Sequence, residues 1–393
     1  MTASVGLPAL RGHQDARDRL ARATAGGTLP QSILLHGAAG IGKERLALWL
    51  AQLLICEAPG SSGPCERCHS CRLTARIEHP DVHWFFPLPR PDASSAEKLR
   101  EKLEEARAVE LQSRRANRLH LPTYERAPAY FLATIQTLQQ IASVRPSMGR
   151  RKVIVVGDAD LMVPQESSQE AANAFLKLLE EPPAHLTLIL TTSKPGALLP
   201  TIFSRVLPYR LLPLSQNAVL DFLTEECGIE GEQARDLSSI AAGSIGRAMR
   251  LLPGEGGPGS LAKQRAAGRA LLVIALSGGP VQRLGAAHEQ APAGARAELA
   301  GQLDAFAIWL RDLLAVVSGG EAVDIGSEAR SLLERAAGRP NLHPLGIADA
   351  IQAVTEAREM AYGNVNPQLI VADLLRRVQW NLSATRAGSR LDD

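Results

Sequence analysis

The chain has 393 residues, of which 45% are hydrophobic and 21% are charged, as in an ordinary globular protein. This length is sufficient for two or three domains, each with its own core. The net charge of +2 excludes a chain-wide basic field of the kind that attracts nucleic acid. The first residues lack a signal-peptide layout, and no apolar run approaches the roughly 20 residues that span a bilayer. We therefore expect a cytoplasmic protein.

Short apolar segments alternate with amphipathic helical patterns over the first two hundred residues. Strands are predicted at 32–37, 81–87, 152–158, 186–192 and 206–211, and helices at 44–56, 134–144 and 169–181. Segments such as VIVV and LILTT are apolar throughout, which is typical of parallel strands covered on both faces. This repetition predicts a doubly wound α/β domain.

Composition changes twice along the rest of the chain. The polar, charge-dense segment 90–118 interrupts the alternation, and we expect a solvated helical hairpin or a mobile insertion there, with a DNA or partner contact as the alternative. After Pro213 no strand is predicted. Residues 213–253 indicate a small helical unit, 254–260 form a glycine-rich linker, and 261–393 are helical throughout.

Residues 37–43, GAAGIGK, match the phosphate loop of nucleotide-binding proteins and lie between a predicted strand and a predicted helix. Gly37, Gly40 and Gly42 permit the tight loop whose backbone N–H groups bind phosphates, and Lys43 supplies positive charge. A magnesium-binding Ser or Thr belongs at the next position, where this chain has Glu44. We expect its carboxylate to lie near the phosphates and repel them.

A later strand of such a site ends in an Asp–Glu pair, in which Asp holds the metal's water shell and Glu polarises the attacking water. The strand KVIVVGD places Gly157 at the Asp position and Asp158 at the Glu position. The alternative register makes Asp158 the metal ligand and places Ala159 at the position of the base. In either register the pair is incomplete.

Four of the five cysteines are clustered: Cys56, Cys65, Cys68 and Cys71. Four thiolates at this spacing can coordinate one tetrahedral zinc ion, and a full set of protein ligands leaves no open position for catalysis. The sequence therefore predicts one structural zinc ion per chain. Unliganded buried cysteines and redox chemistry are the alternatives. His69, within the cluster, is expected to face solvent.

Several of these segments together resemble the AAA+ clamp-loader family of bacterial replication, over essentially the whole chain. They are GAAGIGK, the cysteine module after its helix, VIVVGDADLM, the run NAFLKLLEEPPAHLTLILTTSKP, and Ser204-Arg205. In that family the hydrolysing gamma/tau subunits have Thr after the loop lysine, Asp-Glu on the second strand and Arg in a later G-S-x-R element. This chain has Glu44, Gly157-Asp158 and Gly246 at those positions, with Arg247 one residue out of register.

These departures predict a subunit that does not hydrolyse ATP and needs no catalytic magnesium. The resemblance implies a degenerate nucleotide site formed by seven residues: Gly37, Gly40, Gly42, Lys43, Glu44, Asp158 and Thr192. It also implies that Arg205 is an arginine finger, which completes the ATP site of the adjacent gamma/tau subunit.

The resemblance implies an AAA+ core at 1–212 with a zinc module at 56–71, a helical lid at 213–253, and a helical collar at 261–393 that packs into a ring. The implied partners are the gamma/tau and delta subunits, with the sliding clamp and primer-template DNA reached through the assembled complex of the DNA polymerase III holoenzyme. Two alternatives stay open. One is a gamma/tau-type ATPase with Asp158 as metal ligand, and the other is an AAA+ repair or recombination ATPase that assembles with itself.

Overall fold

A computed structural model describes residues 7, 9–124, 126–162, 170–253, 257–290, 296–320, 327–362 and 365–383. The chain divides into two compact units, the first formed by Met1–Ala218 with Ser244–Gly246 and the second by Val219–Gly243 with Arg247–Asp393. This division does not separate the predicted lid from the predicted collar. The three-part organisation therefore stays a prediction.

The first unit is built on a five-stranded parallel sheet. Its strands are β1 (Ser32–His36), β2 (Val82–Phe85), β3 (Lys152–Val156), β4 (Leu186–Thr192) and β5 (Leu207–Arg210). They lie in the order β2-β3-β4-β1-β5. The α/β class and all five predicted strands are confirmed, with ends that differ by at most two residues.

Helices cover both faces of this sheet. They are α1 (Gln14–Ala25), α2 (Lys43–Ile55), α3 (His69–Ala75), α4 (Ala96–Ala116), α5 (Leu132–Ser143), α6 (Glu170–Glu180) and α7 (Pro200–Phe203). Successive strand side chains point to opposite faces. Ile33 and Val153 therefore join the core beneath α1, α2 and α4, whereas Leu34 and Ile154 join the core with α5 and α6. Burial on both faces explains why the strands are apolar throughout.

The charged insertion is a single 21-residue helix, α4, so the prediction of a solvated hairpin or a mobile insertion is wrong. The helix begins at its N-cap Ser95, whose hydroxyl accepts a backbone N–H from the first turn. Leu103 is buried in the same core as α2, and the carboxylate-bearing Glu110 is also buried. The high charge of the segment hid this buried face, because its charged side chains pair with one another.

The chain after β5 is helical, as predicted. Its helices are α8 (Gln216–Cys227), α9 (Gly231–Ile240), α10 (Ile245–Leu251), α11 (Ser260–Ser277), α12 (Pro280–His288), α13 (Arg296–Val317), α14 (Ser327–Ala337), α15 (Pro344–Tyr362) and α16 (Pro367–Ser383). From α11 onward they share one core, which includes Leu272, Phe306, Val354 and Val378. Among the helices that the structure describes, none has both the length and the apolar character needed to cross a membrane.

Candidate nucleotide and metal sites

The phosphate-loop segment connects β1 to α2, as predicted. Gly40 and Gly42 have φ of 73° and 99°, in the left-handed region that favours glycine, and Gly42 is the N-cap of α2. A Cβ at Gly37 would lie 2.4 Å from the carbonyl oxygen of Leu211. All three glycines are therefore needed for the backbone path of the loop.

Lys43 is buried at the centre of this loop. Its ammonium donates hydrogen bonds to the carbonyl oxygens of Gly37, at 3.1 Å, and Ala38, at 2.8 Å, and to the hydroxyl of Ser193, at 2.9 Å. These contacts use the three N–H donors of the ammonium. Ser193 is a site residue that the sequence analysis missed, because it lies 150 residues away at the end of β4.

Acidic groups surround this lysine, one on α2 and two just after β3. Burial lowers the pKa of Lys43, and the negative charges of Asp158, Glu44 and Asp160 oppose that shift. Thr192 is fully buried, and its hydroxyl donates to Asp160 at 2.5 Å. The predicted residues Asp158 and Thr192 thus lie just after β3 and at the end of β4, beside the loop. Asp160 joins them as a residue that the sequence analysis missed.

Glu44 packs directly against Gly157. A Cβ at Gly157 would lie 2.9 Å from Oε1 of Glu44 and 3.0 Å from its Cδ. Position 157 therefore faces the residue after the loop lysine, as in the first of the two registers considered. The missing side chain at 157 and the long side chain at 44 complement each other in shape.

Arg114 of α4 compensates the charge of Glu44. Its Nη1 lies 3.5 Å from Oε2 of Glu44, and its Nε donates to Oε1 of Glu110 at 2.7 Å. The guanidinium carbon also lies 4.2 Å from the ring centroid of Trp84 and 4.0 Å from that of Phe86. Burial raises the pKa of Glu44, and the positive charge of Arg114 opposes that rise. The expected repulsion of phosphates by Glu44 is therefore weakened by a cation from the insertion.

The segment that contains Gly246 also touches the loop, within the first unit. The N–H of Gly246 donates to the carbonyl oxygen of Gly40, and the hydroxyl of Ser244 donates to that of Ala39, both at 2.9 Å. A Cβ at Gly246 would lie 2.8 Å from the Cα of Gly40. Backbone packs where the resemblance places a sensing arginine, so any side chain there would displace the loop.

The four predicted cysteines come together after α2. The Sγ atoms of Cys56, Cys65, Cys68 and Cys71 all lie within 4.8 Å of one another, and those of Cys65 and Cys71 are 4.0 Å apart. Tetrahedral thiolate ligands at about 2.3 Å from a metal are separated by roughly 3.8 Å. The arrangement therefore fits one four-coordinate metal ion. His69 is exposed, as predicted.

Backbone N–H groups donate to three of the four sulfurs. The N–H groups of Cys65, Cys68 and Cys71 donate to the sulfurs of Cys56, Cys65 and Cys68, at 3.3, 3.4 and 3.3 Å. Hydrogen bonds from the backbone of Arg67 and Cys68 lower the pKa of Cys65 to about 6. Burial raises the pKa of both Cys56 and Cys71, so a metal that binds here displaces protons from these two thiols.

Arg205 follows α7 on the surface of the first unit, with 35% of its side chain exposed. Its Nη1 donates to the carbonyl oxygen of Thr201 at 2.9 Å, and its Nη2 donates to Oε1 of Glu180 at 2.8 Å. The guanidinium is thus accessible and held at two points. The ion pair with Glu180 is a further contact that the sequence analysis missed.

Comparison with known proteins assigns the chain to a family. The family described as DNA polymerase III, delta subunit, matches residues 12–215. The DNA polymerase III subunit delta-prime of Escherichia coli is 26% identical over 351 residues, which are 88% of this chain and 88% of that protein. The subunit delta-prime of Bacillus subtilis is 26% identical over 359 residues, covering 89% of this chain and 91% of that protein.

The tau subunit gives a shorter match. DNA polymerase III subunit tau of Salmonella typhimurium is 30% identical over 245 residues, which are 61% of this chain and 31% of that protein. These two delta-prime relatives therefore match along most of their length, whereas this tau subunit matches over a limited region. This chain belongs to the DNA polymerase III delta subunit family.

Proposed function

We propose that this chain is a clamp-loader subunit of the delta-prime type, which helps load the sliding clamp onto primed DNA without hydrolysing ATP. The observation that carries the proposal is the contact of Glu44 with Gly157, compensated by Arg114. Hydrolysis needs a metal between a loop hydroxyl and a strand carboxylate. Here a Glu stands in place of the hydroxyl and fills the space of the carboxylate.

Arg205 acts on a neighbouring subunit in this proposal. A guanidinium supplied in trans stabilises the charge that develops on the γ-phosphate during hydrolysis. The exposure of Arg205 supports this role, since a finger must reach beyond its own chain. The neighbour is a gamma/tau subunit and the delta subunit completes the assembly. The sliding clamp and primer-template DNA bind through the assembled complex, in the cytoplasm.

The cysteine cluster holds one structural zinc ion in this proposal. Four thiolates form a soft donor set that suits zinc, and they leave no position open for substrate. Glu57 accepts hydrogen bonds from the backbone N–H and hydroxyl of Ser70, which fixes the start of α3 beside the sulfurs. The ion ties α3 to the end of α2.

The proposed organisation of the chain is an AAA+ core that contains this zinc module, a helical lid and a helical collar.

A steady-state ATPase assay on the purified chain separates this proposal from its main alternative. The proposal predicts no magnesium-dependent turnover above background. A gamma/tau-type ATPase with Asp158 as metal ligand is favoured only by the negative charge of Asp158 near Lys43. It predicts turnover that disappears in Asp158→Asn. Magnesium-dependent turnover with that loss would overturn the proposal.

The finger is tested in the reconstituted complex with Arg205→Ala. We expect lower DNA-stimulated ATPase with assembly unchanged, because one active site loses its trans-acting cation. Arg210→Ala is the matched control, since Arg210 is also exposed in the same part of the chain. Full turnover by the complex with Arg205→Ala would contradict the finger.

A further inference from the structure

We infer that Glu180 is a positioning residue for Arg205, which holds the guanidinium ready for the neighbouring ATP site. This inference rests on the proposed function of Arg205. The two residues are 25 positions apart and meet through the hydrogen-bonded ion pair at 2.8 Å. Because a charged pair joins carboxylate to guanidinium, the contact has a defined geometry.

The guanidinium is held through its two Nη groups. Nη1 donates to the carbonyl oxygen of Thr201 at 2.9 Å and lies 3.4 Å from the hydroxyl of Ser204, while Nη2 donates to Glu180. None of these contacts uses Nε. The side chain is therefore oriented by its own chain while it keeps N–H donors for an oxygen of a second molecule.

Both ends of this ion pair are carried by rigid backbone. Leu179, just before Glu180, and Val206, just after Arg205, are buried in the same hydrophobic core. Ile202 of α7 is fully buried in it as well. Fixed backbone at both positions means that the carboxylate limits the rotamers of the arginine.

Pre-orientation of this kind affects the chemical step. A free arginine side chain has several rotatable bonds, and ordering it during docking opposes catalysis. A guanidinium that is already placed loses less freedom when it meets the γ-phosphate, so the gain appears in kcat. The KM for ATP stays unchanged, because the neighbour binds its nucleotide with its own loop.

Glu181 offers a matched control on the same helix end. It has the same side chain as Glu180 and is exposed. Among the residues that the structure describes, no hydrogen bond or ion pair involves the Glu181 carboxylate. An effect of Glu180 that exceeds that of Glu181 therefore reports the contact with Arg205 and not a general loss of negative charge.

The test uses complexes reconstituted with gamma/tau and delta subunits and one of four variants, Glu180→Ala, Glu180→Gln, Glu181→Ala or Arg205→Ala. Glu180→Ala should lower kcat for DNA-stimulated ATP hydrolysis about three-fold, as expected for loss of an exposed pair, with KM unchanged. Glu180→Gln should give a kcat between those of the parent complex and Glu180→Ala, since its amide oxygen still accepts a hydrogen bond. Glu181→Ala should match the parent complex.

A double variant completes the test. In the Arg205→Ala background, Glu180→Ala should have no further effect, because its only route to catalysis has been removed. The inference is overturned if Glu180→Ala leaves kcat unchanged or raises it, or if it changes KM alone. It is also overturned if Glu180→Ala still has an effect in the Arg205→Ala background, or if it prevents assembly. If Arg205→Ala lowers the rate and Glu180→Ala does not, only the inference fails. If Arg205→Ala leaves the rate unchanged, the proposed finger fails with it.

Discussion

Arg114→Ala should destabilise the first unit by about 3 kcal/mol. The substitution removes the ion pairs with Glu44 and Glu110 and the contacts with the rings of Trp84 and Phe86. Only 11% of the Arg114 and Glu110 side chains is exposed, but 29% of Glu44 is. Breaking a buried pair costs about 3–5 kcal/mol, and the exposure of Glu44 places the effect near the lower end of this range.

Urea unfolding followed by tryptophan fluorescence measures this loss, since Trp84 lies against the guanidinium. Only the midpoint should shift, with an unchanged slope. Arg100→Ala is the matched control on α4: it is exposed and should change the free energy of unfolding by less than about 0.5 kcal/mol. Adding Glu44→Gln to Arg114→Ala should restore part of the loss, because the uncompensated carboxylate is then removed. A loss below about 1 kcal/mol would refute the role of Arg114 as the compensating cation.

Three further predictions concern Gly157, the cysteine cluster and His83, which lies in β2. Gly157→Asp places a second carboxylate against Glu44 and should lower the free energy of unfolding by about 2–3 kcal/mol. The double variant Gly157→Asp with Glu44→Thr should regain at least half of this loss. Additive losses in the double variant would count against the contact. Elemental analysis should find about one zinc per chain. The zinc should be lost in Cys65→Ser and kept in Cys227→Ser. A folded protein without metal would contradict the predicted zinc site. Burial lowers the pKa of His83 to about 4, below the roughly 6.5 of an unfolded chain, so the unfolded state binds more protons between these values. The free energy of unfolding should therefore fall by about 2 kcal/mol between about pH 7 and pH 5, and His83→Gln should abolish this fall. The same pH dependence in the parent protein and in His83→Gln would contradict the prediction.

Local signals were sufficient for the sheet and the cysteine cluster. Apolar runs such as that of β3 specify strands buried on both faces, and glycines 37, 40 and 42 specify a loop that few other residues can form. The spacing from Cys56 to Cys71 predicted that the sulfurs would converge. Each of these features depends on residues that are close in sequence.

Contacts between distant segments were not predictable in the same way. Arg114 reaches Glu44 from a helix that begins more than 50 residues later, and its charge made the insertion look fully solvated. Ser193 binds Lys43 across 150 residues, and Glu180 binds Arg205 across 25. No pattern in the sequence marks such pairs, because their geometry depends on how the helices pack on the sheet.

In the proposed function, this chain activates a neighbour's ATP site and does not hydrolyse ATP itself. The most direct measurement is the ATPase rate of a gamma/tau and delta assembly, with primed DNA, before and after this chain is added. We expect that the parent chain co-purifies with the assembly and raises the rate, and that the Arg205→Ala chain co-purifies without raising it to the same level. Equal rates with the parent chain, with Arg205→Ala and with no added chain would contradict it.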